Sequence, residues 1–257
     1  MKQFQFIEWH DEGTTATLWL NRPPVNAVIS EMYVEIRELF GDLAEYLPEA
    51  RAVVLAGRGK HFCAGNDLSE FQSMNPENAP ARMKQVREAF WAIYHAPIPV
   101  IAAVHGAAVG AGLGLAASCD LIVAAADAKF GLPEISMGVM GGAKHLSRLV
   151  PQGMVRLMYL TGELVDAQVL QPFGGIVKIA PPNELLDSAL GLARSIARHS
   201  PVALRFAKQN LNAIEYMDLK AGYEYEQGRT AELSGYADSK EAVNAYLERR
   251  APVYTGR

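Results

Sequence analysis

The sequence predicts an α/β fold, and three observations lead to this prediction. Short apolar runs at residues 52–56, 100–104 and 121–125 have the length and composition of strands buried on both faces. Each run is followed by a turn of small residues, and usually by a helical pattern before the next run. After Leu146 the strand signals nearly vanish, and the remaining periodic segments are helical. An α/β body with a helical tail is therefore expected.

The first elements predicted are two alternating strands and an amphipathic helix. Residues 3–9 and 15–20 alternate polar and apolar side chains around a turn at 11–13, which predicts a β-hairpin. Ser30 is predicted to cap the helix that follows. The apolar residues of this helix are Met32, Ile36, Leu39, Phe40 and Leu43. Their spacing predicts one buried face, with the intervening glutamates in water.

Four helical segments are predicted near the end of the chain. They span residues 185–198, 202–216, 219–233 and 240–249. No flexible linker or low-complexity tract separates two independent domains. We therefore expect one continuous unit, with an α/β core at residues 1–198 and a C-terminal helical region at residues 199–257.

Composition and charge narrow the range of partners. The 257 residues have a formal net charge of -4, which gives no bulk attraction to nucleic acid or anionic membranes. The two cysteines, Cys63 and Cys119, form no metal-binding pattern, so we expect reduced thiols, a cytoplasmic location and no metal ion.

Residues 99–119 are apolar and long enough to cross a bilayer, but their glycines and alanines favour a strand, a turn and a buried helix. Residues 1–9 alternate and predict a strand, not a secretory signal.

Two stretches that each follow an apolar run form the candidate site. One is His-Phe-Cys-Ala-Gly-Asn-Asp-Leu at 61–68, and the other is Gly-Ala-Ala-Val-Gly-Ala-Gly-Leu-Gly at 106–114. Two strand-to-loop corners can point two backbone N–H groups at one position. Such a pair can hold the oxygen of a thioester as it becomes an enolate, at about 3 kcal/mol per donor. The pattern predicts an enzyme that acts on acyl thioesters.

Several further motifs lie before, between and after these two stretches. They are Leu-Asn-Arg-Pro at 20–23 with Asn26 and Ala27, the segment 97–104, Ser-Cys-Asp-Leu-Ile at 118–122, Phe-Gly-Leu-Pro-Glu-Ile at 130–135, and Leu-Glu-Arg-Arg-Ala-Pro at 247–252. Together they resemble the crotonase (enoyl-CoA hydratase/isomerase) superfamily over nearly the whole chain. The resemblance implies a spiral of ββα units with a C-terminal helical trimerisation region, and a homotrimer or a dimer of trimers. It also implies an acyl-CoA substrate, with coenzyme A as part of the substrate and no separate cofactor.

The resemblance also assigns roles to individual residues. Asn66 and Ala111 would supply the two backbone N–H groups of an oxyanion hole, and Glu134 would move the proton. Further substrate-binding positions are Ala64, Gly65, Gly110, Gly112 and Gly142. From the residues alone, Pro133 followed by Glu134 is equally an ordinary helix start, and an isolated glycine turn often serves only close packing. The two matched corners favour the functional interpretation.

Gly114 departs from the pattern of the resembled family. Hydratases of that family carry a second glutamate at this position, which helps to orient the attacking water. Hydration of a double bond needs a proton donor and a water activator, whereas moving a proton between two carbons needs one base. The leading hypothesis is an enoyl-CoA hydratase/isomerase with Glu134 as acid and base, and the first alternative is an isomerase without hydratase activity.

A second alternative is hydrolysis of a carbon–carbon bond. The segment 137–151 resembles a branch of the family that includes a steroid ring-opening hydrolase. That enzyme cleaves a cyclic β-diketone CoA thioester by a retro-Claisen step, also through an enolate. His145 in this segment is a further candidate acid or base at neutral pH.

The sequence also bears on two other functional classes and on the cations that could bind the CoA phosphates. Residues 112–117 fit the dinucleotide fingerprint Gly-x-Gly-x-x-Ala, but several residues separate it from the preceding strand, which argues against a Rossmann oxidoreductase. Some proteins of the resembled family bind RNA. This chain is acidic and has no surface strip of basic and aromatic residues, so a non-catalytic binding protein is the weaker hypothesis.

The candidate cations for the CoA phosphates are Arg22, Arg58, Lys60 and Lys84.

Overall fold

The structure is a computed structural model that describes residues 3–256. Its strands alternate with helices in the first part of the chain, and helices alone complete it, which confirms the α/β class. In chain order, the strands of the described residues are β1 (Ile7–Asp11), β2 (Thr15–Leu20), β3 (Ala52–Gly57), β4 (Val100–Val104), β5 (Ala107–Val109), β6 (Leu121–Ala125), β7 (Lys129–Gly131), β8 (Val165–Asp166) and β9 (Lys178–Ala180).

The α-helices include one at the end of the apolar stretch 99–119 and the four that form the C-terminal part of the chain. In chain order they are α1 (Ser30–Gly41), α2 (Leu43–Tyr46), α3 (Ser69–Gln72), α4 (Ala79–Tyr94), α5 (Ala111–Ser118), α6 (Ala143–Leu146), α7 (Gln152–Thr161), α8 (Ala167–Leu170), α9 (Leu185–Ala197), α10 (Pro201–Ile214), α11 (Leu219–Leu233) and α12 (Ala237–Leu247). Residues 99–119 contain β4, β5 and the fully buried α5, as expected from their small residues. No helix within residues 3–256 is long and apolar enough to cross a membrane.

The strands form a six-stranded sheet and a three-stranded sheet. The order of the large sheet is β1-β2-β3-β4-β6-β9, and every pair in it except β1 with β2 is parallel. The small sheet has the order β5-β7-β8, with β5 parallel to β7. After β4 and again after β6, the chain leaves the large sheet for the small one and then forms a helical segment. These turns are the ββα units that the resemblance implies.

The start of α1 differs from the sequence-based prediction. Ser30 is the first residue of the helix and does not cap it, and Ile29 at the N-cap position makes no side-chain cap. The backbone N–H of Ser30 instead donates to Glu70 Oε1 at 2.9 Å. A carboxylate from another segment therefore satisfies this helix end.

The first strand is shorter than the predicted segment at 3–9. Strand β1 begins at Ile7 and pairs with β2 as the predicted hairpin. The N–H groups of Gln5 and Phe6 donate to the carboxylate of Glu35, at 2.7 and 2.8 Å. These donors are bound to a side chain, so residues 5 and 6 do not extend the ladder.

Two strands lie beyond Leu146, where the sequence shows almost no strand signal. Strand β9 extends the large sheet beside β6, and β8 pairs antiparallel with β7. Both strands are too short for a period of two residues to be recognised in the sequence.

The bounds of the four C-terminal helices agree closely with the four predicted segments. Lys208 joins α10 to the α/β core. Its side chain is almost completely buried and donates to the backbone oxygens of Ile93 and Ile98, each at 3.2 Å. It also pairs with Asp120 Oδ2 at 2.8 Å. The same Asp120 oxygen accepts from the N–H of Val100 at 2.7 Å, so this carboxylate also holds the start of β4.

Candidate active site

The parallel pair of β5 and β7 brings two predicted site segments to one edge of the small sheet. Strand β5 leads into Gly110 and Ala111, and β7 leads through Leu132 into a 3₁₀ helix that contains Glu134. The N–H of Gly110 donates to the oxygen of Gly131 at 2.9 Å, which continues the pairing past the end of β5. Because parallel strands end at the same edge, Ala111 and Glu134 are neighbours in space although they are distant in sequence.

The first corner is held by a bridge between Asn66 and Val28. The N–H of Val28 donates to Gly65 O at 2.8 Å, and the oxygen of Val28 accepts from the N–H of Asp67 at 2.9 Å. In a parallel bridge of this kind, the N–H of the central residue points away from the partner strand. The N–H of Asn66 therefore faces away from Val28.

The second corner packs directly against the first. Cys63 N–H donates to Ala107 O at 3.0 Å, and Val109 N–H donates to Cys63 O at 3.1 Å. A Cβ atom built on Gly65 would lie 3.8 Å from the backbone nitrogen of Ala111. The two corners are thus in contact at the residues that the motifs single out.

The N–H groups of Asn66 and Ala111 are both free to meet a ligand. Ala111 is the first residue of α5, so its N–H has no acceptor within its own helix. Among the turn, loop and bridge hydrogen bonds of residues 3–256, neither group is a donor. Two such donors on adjoining corners, one at a helix N-terminus, suit an oxygen that develops negative charge.

Glycines allow this close approach. Gly65 and Gly110 have positive φ angles of 100° and 56°, which residues with side chains rarely adopt. A Cβ on Gly110 would lie 2.8 Å from Glu134 Oε1, so the carboxylate occupies the space above this glycine. A Cβ on Gly112 would overlap the carbonyl oxygen of Cys63, so Gly112 allows α5 to pack on the first corner.

Ala64 lies in the first corner, and Gly142 lies against the side chain of Leu132. The N–H of Ala64 donates to Val25 O at 3.0 Å. Gly142 precedes α6, and a Cβ built on it would lie 2.5 Å from a methyl group of Leu132, two residues before Glu134. Contact of either residue with a substrate remains a prediction.

Glu134 is a buried carboxyl group with little hydrogen bonding. Its exposed fraction is 8%, and its Oε2 atom has no hydrogen-bond partner in the described part of the chain. Burial raises the pKa of Glu134, and a hydrogen bond from its own backbone N–H offsets this only in part. A carboxyl with a raised pKa beside two free N–H groups is suited to proton transfer.

Phe90 fills the space beside Gly114. A Cβ built on Gly114 would lie 2.5 and 2.7 Å from two carbons of the Phe90 ring. The ring of Phe90 also makes edge contacts with Tyr33 and His145, with centroid distances of 6.2 and 5.0 Å. The position at which hydratases of the resembled family carry their second glutamate therefore faces an aromatic ring.

Tyr33 is a site residue that the sequence analysis missed. Its hydroxyl donates to Asn66 Oδ1 at 2.7 Å, and its side chain is 1% exposed. Burial raises the pKa of Tyr33. A tyrosine on the buried face of a predicted helix needs a partner for its hydroxyl, and this is the signal that could have found it.

His145 lies against Phe90 and lines a cavity of about 220 Å³. The other lining residues are Trp91, Tyr94, Ser118, Lys144, Arg148 and Tyr216. Burial and the charge of Arg148 lower the pKa of His145, which favours the uncharged ring. Glu134 does not line this cavity, so the structure does not pair His145 with the buried carboxyl.

Three of the four cations considered for CoA phosphates are already paired. The pairs are Arg22 with Asp67 at 2.7 Å, Arg58 with Glu8 at 2.9 Å, and Lys84 with Glu88 at 3.6 Å. Lys60 has no carboxylate partner within residues 3–256 and lines a different cavity, of about 370 Å³. Lys60 is thus the candidate whose charge is available to an anion.

The residues that fit the dinucleotide fingerprint do not form a nucleotide-binding turn. Residues 112–117 all lie inside α5. A Rossmann fingerprint places its glycines in the turn between strand and helix. The oxidoreductase hypothesis is therefore not supported by the fold.

Comparisons with known proteins agree with this geometry. The family model described as enoyl-CoA hydratase/isomerase matches residues 11–257. The chain is 38% identical to a (7aS)-7a-methyl-1,5-dioxo-2,3,5,6,7,7a-hexahydro-1H-indene-carboxyl-CoA hydrolase of Rhodococcus jostii (strain RHA1), over 94% of this chain and 93% of that protein. It is 36% identical to a 2,3-dehydroadipyl-CoA hydratase of Escherichia coli (strain K12), over 93% of this chain and 94% of that protein.

A crystal structure of an enoyl-CoA hydratase from Bacillus anthracis superposes with a TM-score of 0.92 at 30% identity. The match covers 98% of this chain and all of that one. Fold, family model and relatives therefore coincide over nearly the whole length. The chain belongs to the enoyl-CoA hydratase/isomerase (crotonase) family.

Proposed function

We propose that the chain binds an acyl-CoA thioester and stabilises its enolate between the backbone N–H groups of Asn66 and Ala111. Family membership supports a CoA thioester as the substrate. The two free N–H groups on adjoining corners support the oxyanion hole. Each such donor contributes about 3 kcal/mol to the stabilisation of the transition state. In this proposal the substrate brings its own coenzyme A, and no further cofactor takes part.

Glu134 is the acid and base of the proposed reaction. An enolate forms when a base removes a proton from the carbon next to the thioester carbonyl. The carboxyl of Glu134 lies above Gly110, one residue before Ala111, so it is close to that carbon when the oxygen is bound. Its free Oε2 atom and its raised pKa suit it to take up the proton and return it. This juxtaposition of Glu134 and the two corners is the observation that carries the proposal.

The surroundings of Gly114 favour proton transfer between carbons over addition of water. A second carboxylate at position 114 would meet the ring of Phe90. With one carboxyl, the site can move a proton from one carbon to another, but it has no partner to activate water for attack on a double bond. Double-bond isomerisation is therefore the first candidate reaction.

Hydrolysis of a carbon–carbon bond is the second candidate, favoured by the similarity to the indene-carboxyl-CoA hydrolase. In such a step, Glu134 takes a proton from water, the water oxygen adds to a ring ketone at the β position, and the bond from that carbon to the α carbon breaks. The electron pair of the broken bond becomes the thioester enolate, which the same two N–H groups would hold. Glu134 then delivers this proton to the α carbon, and the former ketone becomes a carboxylic acid at the far end of the opened chain.

One experiment separates these reactions. The purified enzyme and Glu134→Gln are incubated in heavy-oxygen water with crotonyl-CoA, 3-hexenoyl-CoA or 2-oxocyclohexane-1-carboxyl-CoA, and the products are identified by mass spectrometry and chromatography. Isomerisation converts 3-hexenoyl-CoA to 2-hexenoyl-CoA without label. Ring opening gives pimelyl-CoA with one labelled oxygen, and hydration gives labelled 3-hydroxybutyryl-CoA.

The outcome decides both the class and the role of Glu134. We expect isomerisation or ring opening by the wild type and neither by Glu134→Gln. Rapid labelling of crotonyl-CoA would establish a hydratase despite Gly114. Turnover at the wild-type rate by Glu134→Gln would contradict the assignment of the acid and base.

We also propose that the chain assembles as a homotrimer or a dimer of trimers. Large apolar side chains are exposed close to Glu134 and on α7, which supports an interface there. They are Ile135, Met137, Met140, Leu157 and Leu160. Light scattering after size-exclusion chromatography tests the assembly, and a monomer at all concentrations would contradict it.

A further inference from the structure

The two ends of helix α5 are treated differently by the fold. All eight residues of α5 are buried, so the carbonyl oxygens at its C-terminal end need donors from the protein. Leu115 O accepts from the thiol of Cys119 at 3.4 Å, and Ala116 O accepts from the N–H of Cys119 at 3.2 Å. The N-terminal end has no side-chain cap, and the N–H of Ala111 is left for a ligand.

Arg148 supplies the donor for the next carbonyl oxygen of this C-terminal end. Its Nη1 donates to Ala117 O, and its Nε donates to Glu215 Oε1 at 2.9 Å. The guanidinium also lies over the ring of Tyr94, with 4.8 Å between its central carbon and the ring centroid. The Arg148 side chain is 19% exposed. Three contacts in different directions therefore fix one guanidinium group at the end of α5.

Glu215, directly after α10, is held in turn by residues of α4 and of the C-terminal helical region. The hydroxyls of Tyr94 and Tyr216 donate to its two carboxylate oxygens, each at 2.7 Å. Asn212 on α10 donates to the backbone oxygen of Tyr94 at 2.7 Å. Burial raises the pKa of Glu215, but the two hydroxyls and Arg148 outweigh burial and lower this pKa below its ordinary value. Glu215 is therefore kept ionised as the partner of Arg148.

The contribution of Arg148 to the site is through the position of α5 and not through its charge. From Ala111 to Ala117 the helix advances about 9 Å, at about 1.5 Å per residue. At such a distance the neighbouring carboxylate of Glu215 cancels most of the field of the guanidinium. Apart from Ser118, the side chains of α5 are apolar or absent, and apolar packing is not directional. The hydrogen bonds at its ends are what fix the helix along its axis.

We propose that Arg148 is a positioning residue, which holds α5 so that the N–H of Ala111 meets the thioester oxygen. This inference rests on the proposed function, because it takes that N–H as a donor of the oxyanion hole. Glu215 fixes the guanidinium, so a residue of the C-terminal helical region acts on the α/β core without a need to touch the substrate. A displacement of about 1 Å in an active site can cost about 100-fold in rate.

The stretching frequency of a bound thioester carbonyl reports on these donors without turnover. Hexanoyl-CoA labelled with carbon-13 at the thioester carbonyl is bound to the enzyme, and isotope-edited infrared difference spectroscopy gives the frequency. Hydrogen bonds to the carbonyl oxygen polarise the C=O bond and lower its stretching frequency. We therefore expect a lower frequency in the wild-type complex than for free hexanoyl-CoA in water.

Variants of the ion pair identify its role. Arg148→Gln should lose about half of the frequency shift, because one of the two donors is displaced and that of Asn66 remains. The rate of α-proton exchange should fall about 10- to 100-fold, with little change in the affinity for hexanoyl-CoA. Arg148→Lys keeps the charge but not the fork that reaches both acceptors, so it should restore only part of the shift. Glu215→Gln should cause a smaller loss in the same direction.

Two controls separate positioning from stability. Arg194→Gln removes an ion pair with Glu12 in which the Arg194 side chain is 59% exposed. Asp238→Asn weakens a buried acceptor of the C-terminal helical region, which binds Ser200 and the N–H of Thr255. It should destabilise the protein without a contact to α5. Both controls should keep the wild-type carbonyl frequency.

Each result has a defined meaning. The wild-type frequency and exchange rate in Arg148→Gln would overturn this inference and leave the proposed function intact. An equal loss in Asp238→Asn would also overturn it, because reduced stability alone would then explain the effect. An unshifted frequency for hexanoyl-CoA bound to the wild type would contradict the oxyanion hole itself. Where Arg148→Gln does not fold, the frequency in Glu215→Gln decides in the same way.

Discussion

The hydroxyl of Tyr33 donates a 2.7 Å hydrogen bond to the side-chain oxygen of Asn66. A residue of α1 thereby holds the residue whose backbone N–H we assign to the oxyanion hole. Gly65, which precedes Asn66, has a positive φ angle, so the corner depends on such contacts for its orientation. Tyr33 is accordingly a positioning residue and does not need to touch the substrate.

Removal of this hydrogen bond should loosen the corner. Tyr33→Phe should lower kcat/KM about 10-fold and the free energy of unfolding by about 1 kcal/mol, the value of one buried hydrogen bond. Asn66→Ala keeps the backbone N–H and should retain substantial turnover. In a double-mutant cycle, Tyr33→Phe should have little further effect in Asn66→Ala. Loss of all activity in Asn66→Ala alone would instead assign the role to the carboxamide.

Glu134→Gln tests the acid and base directly. The substitution keeps the size of the side chain and removes its ability to accept a proton, so turnover should fall by about 10²- to 10⁴-fold. Affinity for hexanoyl-CoA should change little, because the oxyanion-hole donors remain. Exchange of the α protons of that thioester in heavy water, followed by NMR, should stop in the variant. Continued exchange at the wild-type rate would refute the assignment.

The raised pKa of Glu134 predicts opposite effects of pH on activity and stability. The base must be ionised, so kcat/KM should fall as the pH decreases through the raised pKa. The ionised group is less favourable in the fold than in the unfolded chain, so it destabilises the protein above the raised pKa. This cost decreases as the pH falls through the raised pKa and is gone below the ordinary pKa of a glutamate. Glu134→Gln should therefore be more stable than the wild type at pH 7 to 8 and lose this advantage in acid, as measured by denaturant unfolding.

Gly110→Ala should separate the carboxylate from the corner. The new Cβ would lie 2.8 Å from Glu134 Oε1, and a φ of 56° with a ψ of -119° is strained for alanine by about 1 to 3 kcal/mol. A displacement of the Glu134 carboxylate by up to about 1 Å should reduce turnover about 100-fold. Gly153→Ala is the matched control, since a Cβ there has open space on α7 and should be neutral or slightly stabilising. Equal activities of the two variants would contradict this account.

The contact between Gly114 and Phe90 predicts strong coupling between the two positions. Gly114→Ala overpacks the ring and should cost about 1 to 3 kcal/mol. Phe90→Ala leaves a cavity and should cost about 3 to 5 kcal/mol. The double variant should be less destabilised than the sum, because each change relieves the other. With the ring removed, Gly114→Glu should give measurable hydration of crotonyl-CoA, and absence of this gain would show that a second carboxylate is not what the site lacks.

Local sequence patterns were sufficient to predict the backbone of the site. Glycines at 65, 110 and 112 lie where two corners meet, and the pattern that ends in Glu134 follows a strand, as the structure confirms. These features depend on residues that are adjacent in the chain. The oxyanion hole and the role of Glu134 remain predictions until the variants are measured.

Contacts between distant segments could not be predicted in this way. Glu70 lies forty residues from Ser30, so the sequence suggested a local cap where the structure has a remote carboxylate. Phe90 reads as one more apolar residue of α4, and only the packing of α4 on α5 shows that it fills the space beside Gly114. Strand β9 is three residues long and is a strand only because β6 offers it a partner.

The buried ammonium of Lys208 sets a limit on how early the protein can complete its fold during synthesis. Its acceptors on Ile93, Ile98 and Asp120 are made by the ribosome long before residue 208 follows. Because chains are made at about 5 to 20 residues per second, these oxygens wait several seconds for their partner. We therefore expect water or a chaperone to cover this face of the nascent core until α10 emerges.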